Sequence, residues 1–368
     1  MLKLPVRERE GKKERGIFSY YRNLFHSVHD SREQSQQLKK QVEALGAIDK
    51  NNQGTIRLKD ADLALGRKLI LNKVNLEIKP GKIFGIIGVS GSGKTTLLRM
   101  MIGFYTPQHG EVFFKDKLIQ KQRNYVNGLF GFSTQSNSFY DSLNVDENLR
   151  FFGKLYGLNN DYLNQQIEKL LVLVDLYEHR RTLAGHLSGG MRRRLDFACA
   201  LIHDPAVLIL DEPTEDLDPH LRNEIITLIR EINKRGTTVI FTTHLLKEVE
   251  YLCDEVAIIN QGKILVVGSP DELKKAYRGG YEVHLSVQGN DYSKYVHKLK
   301  GMKGKLLKNK LIVYAQDKRK AINILKKLLN LVEAHNDDVV FADIMRPSLS
   351  EVFHILTKNV SKKRGKNG

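Results

Sequence analysis

Residues 88–96 read Gly88-Val89-Ser90-Gly91-Ser92-Gly93-Lys94-Thr95-Thr96. Ahead of them stands Ile83-Phe84-Gly85-Ile86-Ile87, a short apolar run of buried-strand type, and behind them Leu97-Leu98-Arg99-Met100-Met101 reads as helix. The spacing fits G-x-x-x-x-G-K-[ST] in the strand–turn–helix context that the pattern requires. Glycines let the backbone come close to phosphates, amide N–H groups point inward, and the helix start favours negative charge. On this reading Lys94 reaches the β- and γ-phosphates of a nucleoside triphosphate, and the Thr95 hydroxyl ligates Mg²⁺.

The 368 residues leave room for two or three domains. An apolar fraction of 41% suffices for globular cores. No run approaches the ~18 apolar residues of a spanning helix. Met1–Glu8 has no apolar core, so no secretory signal is expected. Cys199 and Cys253 are the only cysteines, which fits core thiols in a reducing compartment. The net charge of +17 suits a polyanionic setting: nucleic acid, anionic lipid, or a nucleotide site with a basic coat. Charge alone does not choose among them.

Residues 1–54 form a basic extension in which Ile17, Tyr20, Tyr21, Leu24, Phe25 and Val28 recur at helical spacing. Such a segment either lies on a membrane or membrane partner, or folds back on its own domain. From 55 to 275 short apolar strands alternate with helices, as in a parallel sheet covered on both faces. A helical insert occupies Asn144–Leu187, and Ile259–Ile264 reads as a tight hairpin. Residues 280–358 make a smaller α+β module, with strands near 282–287, 310–314 and 339–342. Helices there are expected at Tyr292–Leu299, Ala321–Ala334 and Ser348–Phe353. The basic tail, 359–368, is expected to be disordered.

Val207-Leu208-Ile209-Leu210 is a buried-type strand that delivers Asp211 and Glu212 beside the phosphate loop, at the edge where such sheets bind ligands. Asp211 is placed to hold Mg²⁺ and Glu212 to polarise an attacking water. Together with Leu187-Ser188-Gly189-Gly190, these stretches resemble the ATP-binding-cassette (ABC) ATPases, the nucleotide-binding subunits of ABC transporters. The resemblance spans 55–275. It implies an α/β P-loop NTPase cassette with a mostly parallel sheet, an antiparallel β edge and a helical insert. It also implies a dimer in which the Ser188, Gly189, Gly190 helix tip of one subunit closes on ATP held by the other. Gln135 matches the lid glutamine at Mg²⁺ and the lytic water, Asp218 the loop aspartate at the dimer contact, and His244 the switch histidine at the γ-phosphate. Arg346–Phe353 resembles the ending of the drug- and polysaccharide-exporter branch.

Three departures stand out. Met191 follows the signature where many members carry Gln. Glu215 and Asp216 replace a small pair, with Arg192, Arg193 and Arg194 as candidate compensating charges. Leu65 stands where an aromatic often stacks on adenine. The implied function is an ATPase that energises a membrane exporter, peripheral on the cytoplasmic membrane face, with a separate permease and a second cassette subunit. A soluble cassette acting on nucleic acid or ribosomes is the alternative, less favoured because one cassette stands alone and no long heptad run splits it. A cassette that binds ATP without hydrolysing it is a third option, against which the intact catalytic set argues.

Overall fold

A computed structural model describes residues 53–134, 138–277, 280–289, 291–297, 302–346 and 348–364. The basic extension and Gln135 lie outside the described residues. The chain divides into two compact units, one holding residues 136–205 and the other residues 53–135 with 206 onward.

The larger unit begins with β1 (Ile56–Leu65) and β2 (Lys68–Ile78), followed by β3 (Ile83–Ile87), α1 (Lys94–Met101), β4 (His109–Phe114), β5 (Lys117–Leu118), α2 (Arg123–Asn127) and β6 (Phe130–Ser133). The inserted unit contributes α3 (Val145–Leu155), α4 (Asn160–Leu173) and α5 (Gly189–Leu201). The larger unit resumes with β7 (Val207–Leu210), α6 (Pro219–Lys234), β8 (Thr238–Thr243), α7 (Leu246–Leu252), β9 (Glu255–Asn260), β10 (Lys263–Gly268) and α8 (Pro270–Tyr277).

Strands β10-β9-β3-β8-β7-β6 form one sheet, parallel except for its β10 edge. Every residue of β3, β7 and β8 is buried, as parallel strands covered on both faces require. Strands β2-β1-β4-β5 make a separate antiparallel sheet. Ile56, Leu58, Val74 and Phe114 from that sheet share a core with Phe84, Leu97, Met101 and Ile209. Gln261 (φ 49°) and Gly262 (φ 74°) close the β9–β10 hairpin as a two-residue turn with both φ positive. A β-carbon on Gly262 would sit 2.1 Å from the Ile70 carbonyl, so no other residue fits.

In the inserted unit the buried Asn148 of α3 fixes the preceding loop. Its amide donates to the carbonyls of Tyr140, Leu143 and Asn144 and accepts from the Tyr140 N–H. Arg180 bridges Asp146 (2.7 Å) on α3 and Glu168 (2.8 Å) on α4. Burial pushes the Asp146 carboxyl upward, yet hydrogen bonds from Arg180 and Arg150 hold it below its ordinary value.

The C-terminal module adds β11 (Tyr281–Val287), α9 (Ser293–Val296), β12 (Gly304–Leu307), β13 (Lys310–Ala315), α10 (Lys318–Ala334), β14 (Val339–Met345) and α11 (Leu349–Arg364). Its antiparallel sheet, ordered β12-β13-β11-β14, packs Val283, Leu285 and Val313 against Ile324, Leu328 and Val332 of α10. Helix α11 packs on α7 and α8, and the Leu349 N–H donates to the Glu250 carboxylate of α7.

Two sequence expectations change here. Strand β12 is not marked by alternation, because all four of its residues are exposed; it pairs with β13. Helix α11 also runs to Arg364, into the tail expected to be disordered; Lys and Arg are good helix formers and suit a helix C-terminus. Of the helix expected at Tyr292–Leu299, the described part is α9, and residues 298–300 lie outside the described residues. Both cysteines are free, and burial pushes both thiols well above their ordinary value.

Candidate phosphate-loop and acidic-pair site

The glycine loop leaves β3 and enters α1 through Gly93, whose φ of 106° is closed to L side chains. A β-carbon on Gly88 would meet Ser92 Oγ at 2.3 Å and the Ile259 carbonyl at 2.6 Å, so the loop is a tight cradle there. Its position is pinned by the β9–β10 hairpin, where the Gly262 N–H donates to the Ser92 carbonyl at 2.9 Å. Ser92 Oγ is itself buried with no hydrogen-bond partner among the described residues, a polar atom pointing to a ligand-shaped need. Lys94 is only 7% exposed. Its Nζ donates to the Gly88 carbonyl at 3.0 Å and pairs with Glu212 Oε1 at 3.0 Å.

Strand β7 ends with its two carboxylates on different errands. Asp211, 3% exposed, accepts the Thr242 hydroxyl proton at Oδ1 across 2.6 Å. The same Thr242 oxygen accepts the Glu212 N–H at 2.9 Å. Glu212 stands at φ 50°, a left-handed conformation rare for glutamate, and strain of this kind collects at functional sites. Its Oε2 lies 2.9 Å from His244 Nδ1. Lys94, Glu212 and His244 therefore form one unbroken chain of contacts beside the glycine cradle. Glu215 joins them: ligand atoms of Glu212, Glu215 and His244 all lie within 4.8 Å of one another.

Sequence reasoning missed the supports of this chain. Thr242 holds the Asp211 carboxylate and the Glu212 backbone, and was visible only as an unremarkable strand threonine. Glu248, buried on α7, accepts from Thr214 (2.8 Å) and Thr243 (3.1 Å) and pairs with Arg222 (3.4 Å) of α6. It ties the segment after Glu212 to the segment carrying His244. Burial raises the Glu248 carboxyl above its ordinary value, with the two hydroxyls and Arg222 opposing. No motif announces such a residue, because its partners come from three separate stretches of chain.

The remaining predicted positions are distributed as follows. Asp218 caps α6, accepting the N–H groups of His220 (2.9 Å) and Leu221 (3.1 Å), with Pro219 as the first helical residue. Leu65 is 41% exposed at the end of β1. Ser188 belongs to the inserted unit, where it caps α5 by accepting the Met191 N–H at 3.3 Å. Gly189, the first residue of α5, would meet no other described residue beyond its own stretch of chain with a β-carbon. The three arginines after the signature have local partners: Arg192 pairs with Asp141 (2.8 Å), Arg193 with Asp196 (3.9 Å) and Arg194 with Asp175 (2.9 Å).

For a divalent cation, the Thr95 hydroxyl at the start of α1 and the Asp211 carboxylate supply oxygen donors that suit Mg²⁺. Asp211 fits that role because its hydrogen-bond donor is a neutral hydroxyl, and a buried carboxylate still calls for a cation.

The ABC transporter family profile matches residues 71–215. The linearmycin resistance ATP-binding protein LnrL of Bacillus subtilis is 31% identical over 300 residues, covering 80% of this chain and 95% of that protein. The Nod factor export ATP-binding protein I of Cupriavidus metallidurans is 35% identical over 218 residues, covering 59% of this chain and 72% of that protein. Among solved structures, CbiO1 of Clostridium perfringens, part of the ABC transporter complex CbiONQ, is 28% identical with a TM-score of 0.57. That match covers 60% of this chain and 90% of CbiO1.

Proposed function

This chain belongs to the ABC transporter family as an ATP-binding protein, and from that premise we propose that it hydrolyses ATP to drive a membrane exporter. The observation that carries the reading is the contact chain Gly88–Lys94–Glu212–His244 at 3.0, 3.0 and 2.9 Å beside the glycine cradle. The names of the relatives, resistance and Nod factor export proteins, favour an exporter over a cassette acting on nucleic acid or ribosomes.

The residues act in sequence. The N–H groups of residues 88–96 and the start of α1 receive the β- and γ-phosphates. Lys94 exchanges Glu212 for phosphate oxygens, and Glu212, released, accepts a proton from the attacking water. His244 turns from Glu212 toward the γ-phosphate. Thr95, Asp211 and Gln135 would hold Mg²⁺, which supplies charge neutralisation to the phosphates. A second subunit brings its Ser188, Gly189, Gly190 helix tip to the same nucleotide, with Asp218 at the subunit contact. Closure and reopening of that pair move a separate permease. Among the described residues no helix is long and apolar enough to cross a membrane, which fits a peripheral subunit.

The test is Glu212→Gln. The purified variant retains ATP binding and loses turnover by about 100-fold or more, the scale of removing a general base. Turnover equal to the unsubstituted chain would remove Glu212 from the base role.

A further inference from the structure

The acidic residue after Thr214 stands inside the contact chain just described. Its N–H donates to the Glu212 carbonyl at 3.2 Å, which folds the segment back so that the Glu215 side chain faces the same imidazole as Glu212. Within 4.8 Å, Glu212, Glu215 and His244 thus place two carboxylates around one exposed ring. Glu212 also pairs with the Lys94 ammonium at 3.0 Å. The two backbones that hold these groups are fixed: Thr242 holds the Glu212 N–H, and Thr214 and Thr243 share Glu248. Glu215 is therefore not a passing surface charge but an anion held at a set distance from the switch histidine.

A γ-phosphate is an anion that needs the same partner. We propose that Glu215 is a positioning residue that competes with the γ-phosphate of ATP for His244, and so restrains ATP-driven closure and basal hydrolysis. The proposal rests on the ATPase reading above. Once Lys94 has moved to the phosphates, Glu212, Glu215 and the γ-phosphate share His244, and each negative group left without it faces the others. A diphosphate makes no such demand, because it lacks the group that must reach His244. The restraint is accordingly specific for triphosphate.

The experiment uses the full chain carrying Glu215→Gln, which keeps the shape and removes the charge, with Glu215→Ser as a second variant. Affinities for Mg-ADP and for a non-hydrolysable Mg-ATP analogue are measured, together with kcat and KM for ATP. The analogue binds about fivefold tighter to both variants, or ~1 kcal/mol, the upper range for a half-exposed charge contact. ADP affinity changes by less than about twofold on the same scale, and kcat rises. In the His244→Ala background the effect of Glu215→Gln on analogue binding disappears. A purely structural role would move ADP and analogue together, and that result overturns the proposal. So does a full effect of Glu215→Gln without His244, which would leave simple repulsion. A chain that binds neither nucleotide, with or without Lys94→Ala, strikes the ATPase reading itself and is recognisable as that separate failure.

Discussion

Thr242→Val tests the way the two carboxylates are held. The substitution keeps the shape and removes an oxygen that serves Asp211 at 2.6 Å and the Glu212 N–H at 2.9 Å. Thr242 is fully buried, so water cannot replace the hydroxyl. A hydrogen bond to a charged group is worth ~1.5–3 kcal/mol, and an orphaned buried N–H costs ~1–3 kcal/mol. The two losses share one atom and do not add fully, so the destabilisation is about 3 kcal/mol. For a unit of this size that lowers the melting temperature by roughly 6–12 °C. The activity falls further than the stability. Glu212 sits at φ 50° only because its neighbours over-determine it, and release of its N–H lets the backbone relax. A base displaced by ~1 Å costs about 100-fold in turnover. Thermal unfolding and steady-state ATP hydrolysis read the two effects, and Thr242→Ser, which keeps the hydroxyl, recovers most of both. A Thr242→Val protein that melts within about 2 °C of the unsubstituted chain and hydrolyses ATP normally refutes the reasoning.

Lys94→Met removes the cation of the cradle and weakens nucleotide binding by about 10–100-fold, the worth of one charged hydrogen bond, measurable by calorimetry. Gly262→Ala drives a β-carbon to 2.1 Å from the Ile70 carbonyl at φ 74°. The cost is about 2 kcal/mol or more, seen as a lower denaturation midpoint. In the C-terminal module, His284 Nε2 lies 2.8 Å from Glu282, and the charges of Lys310, Asp343 and Glu351 act on its ring. Burial, aided by Lys310, pushes its pKa below 6.5. A base with a depressed folded-state pKa stabilises the fold above its unfolded value, and that stability is lost as pH falls through the folded one. The denaturation midpoint therefore drops as pH falls below about 6.5, and His284→Gln flattens that slope. An unchanged slope counts against it.

What could be read from the sequence was whatever has a local signature. The strand–glycine–helix pattern at 83–101 is legible because phosphate binding by backbone demands glycine at fixed offsets. The β9–β10 hairpin is legible because Gln261-Gly262 is a turn with a mechanism. Val207–Leu210 is legible because a strand buried on both faces must be apolar throughout. Strand β12 was lost for the opposite reason: nothing in Gly304–Leu307 is buried, so no pattern is imposed on it. Thr242 and Glu248 were lost because their value lies in partners 31 and 34 residues away, Asp211 and Thr214. Asp218 was read for a role at a subunit contact, while its capping of α6 follows from the Asp-Pro step alone.

These supports also bear on why nucleotide binding and activation belong to one event. In the structure Glu212, the proposed general base, is held from two sides, by Lys94 at 3.0 Å and by His244 Nδ1 at 2.9 Å. Each of its oxygens already has a partner, so an attacking water competes with those partners for its lone pairs. Phosphate oxygens offer Lys94 a more highly charged partner than Glu212 does, and they approach from the cradle where Lys94 already touches the Gly88 carbonyl. The lysine can thus change partners with a small rotation of its end, while its stem stays buried. Departure of Lys94 removes one of these two partners from Glu212, and a γ-phosphate within reach of His244 removes the other. ADP supplies the first exchange and not the second, so it leaves the base half-restrained. On the proposed mechanism, triphosphate is thereby distinguished from diphosphate at the carboxylate that accepts the proton.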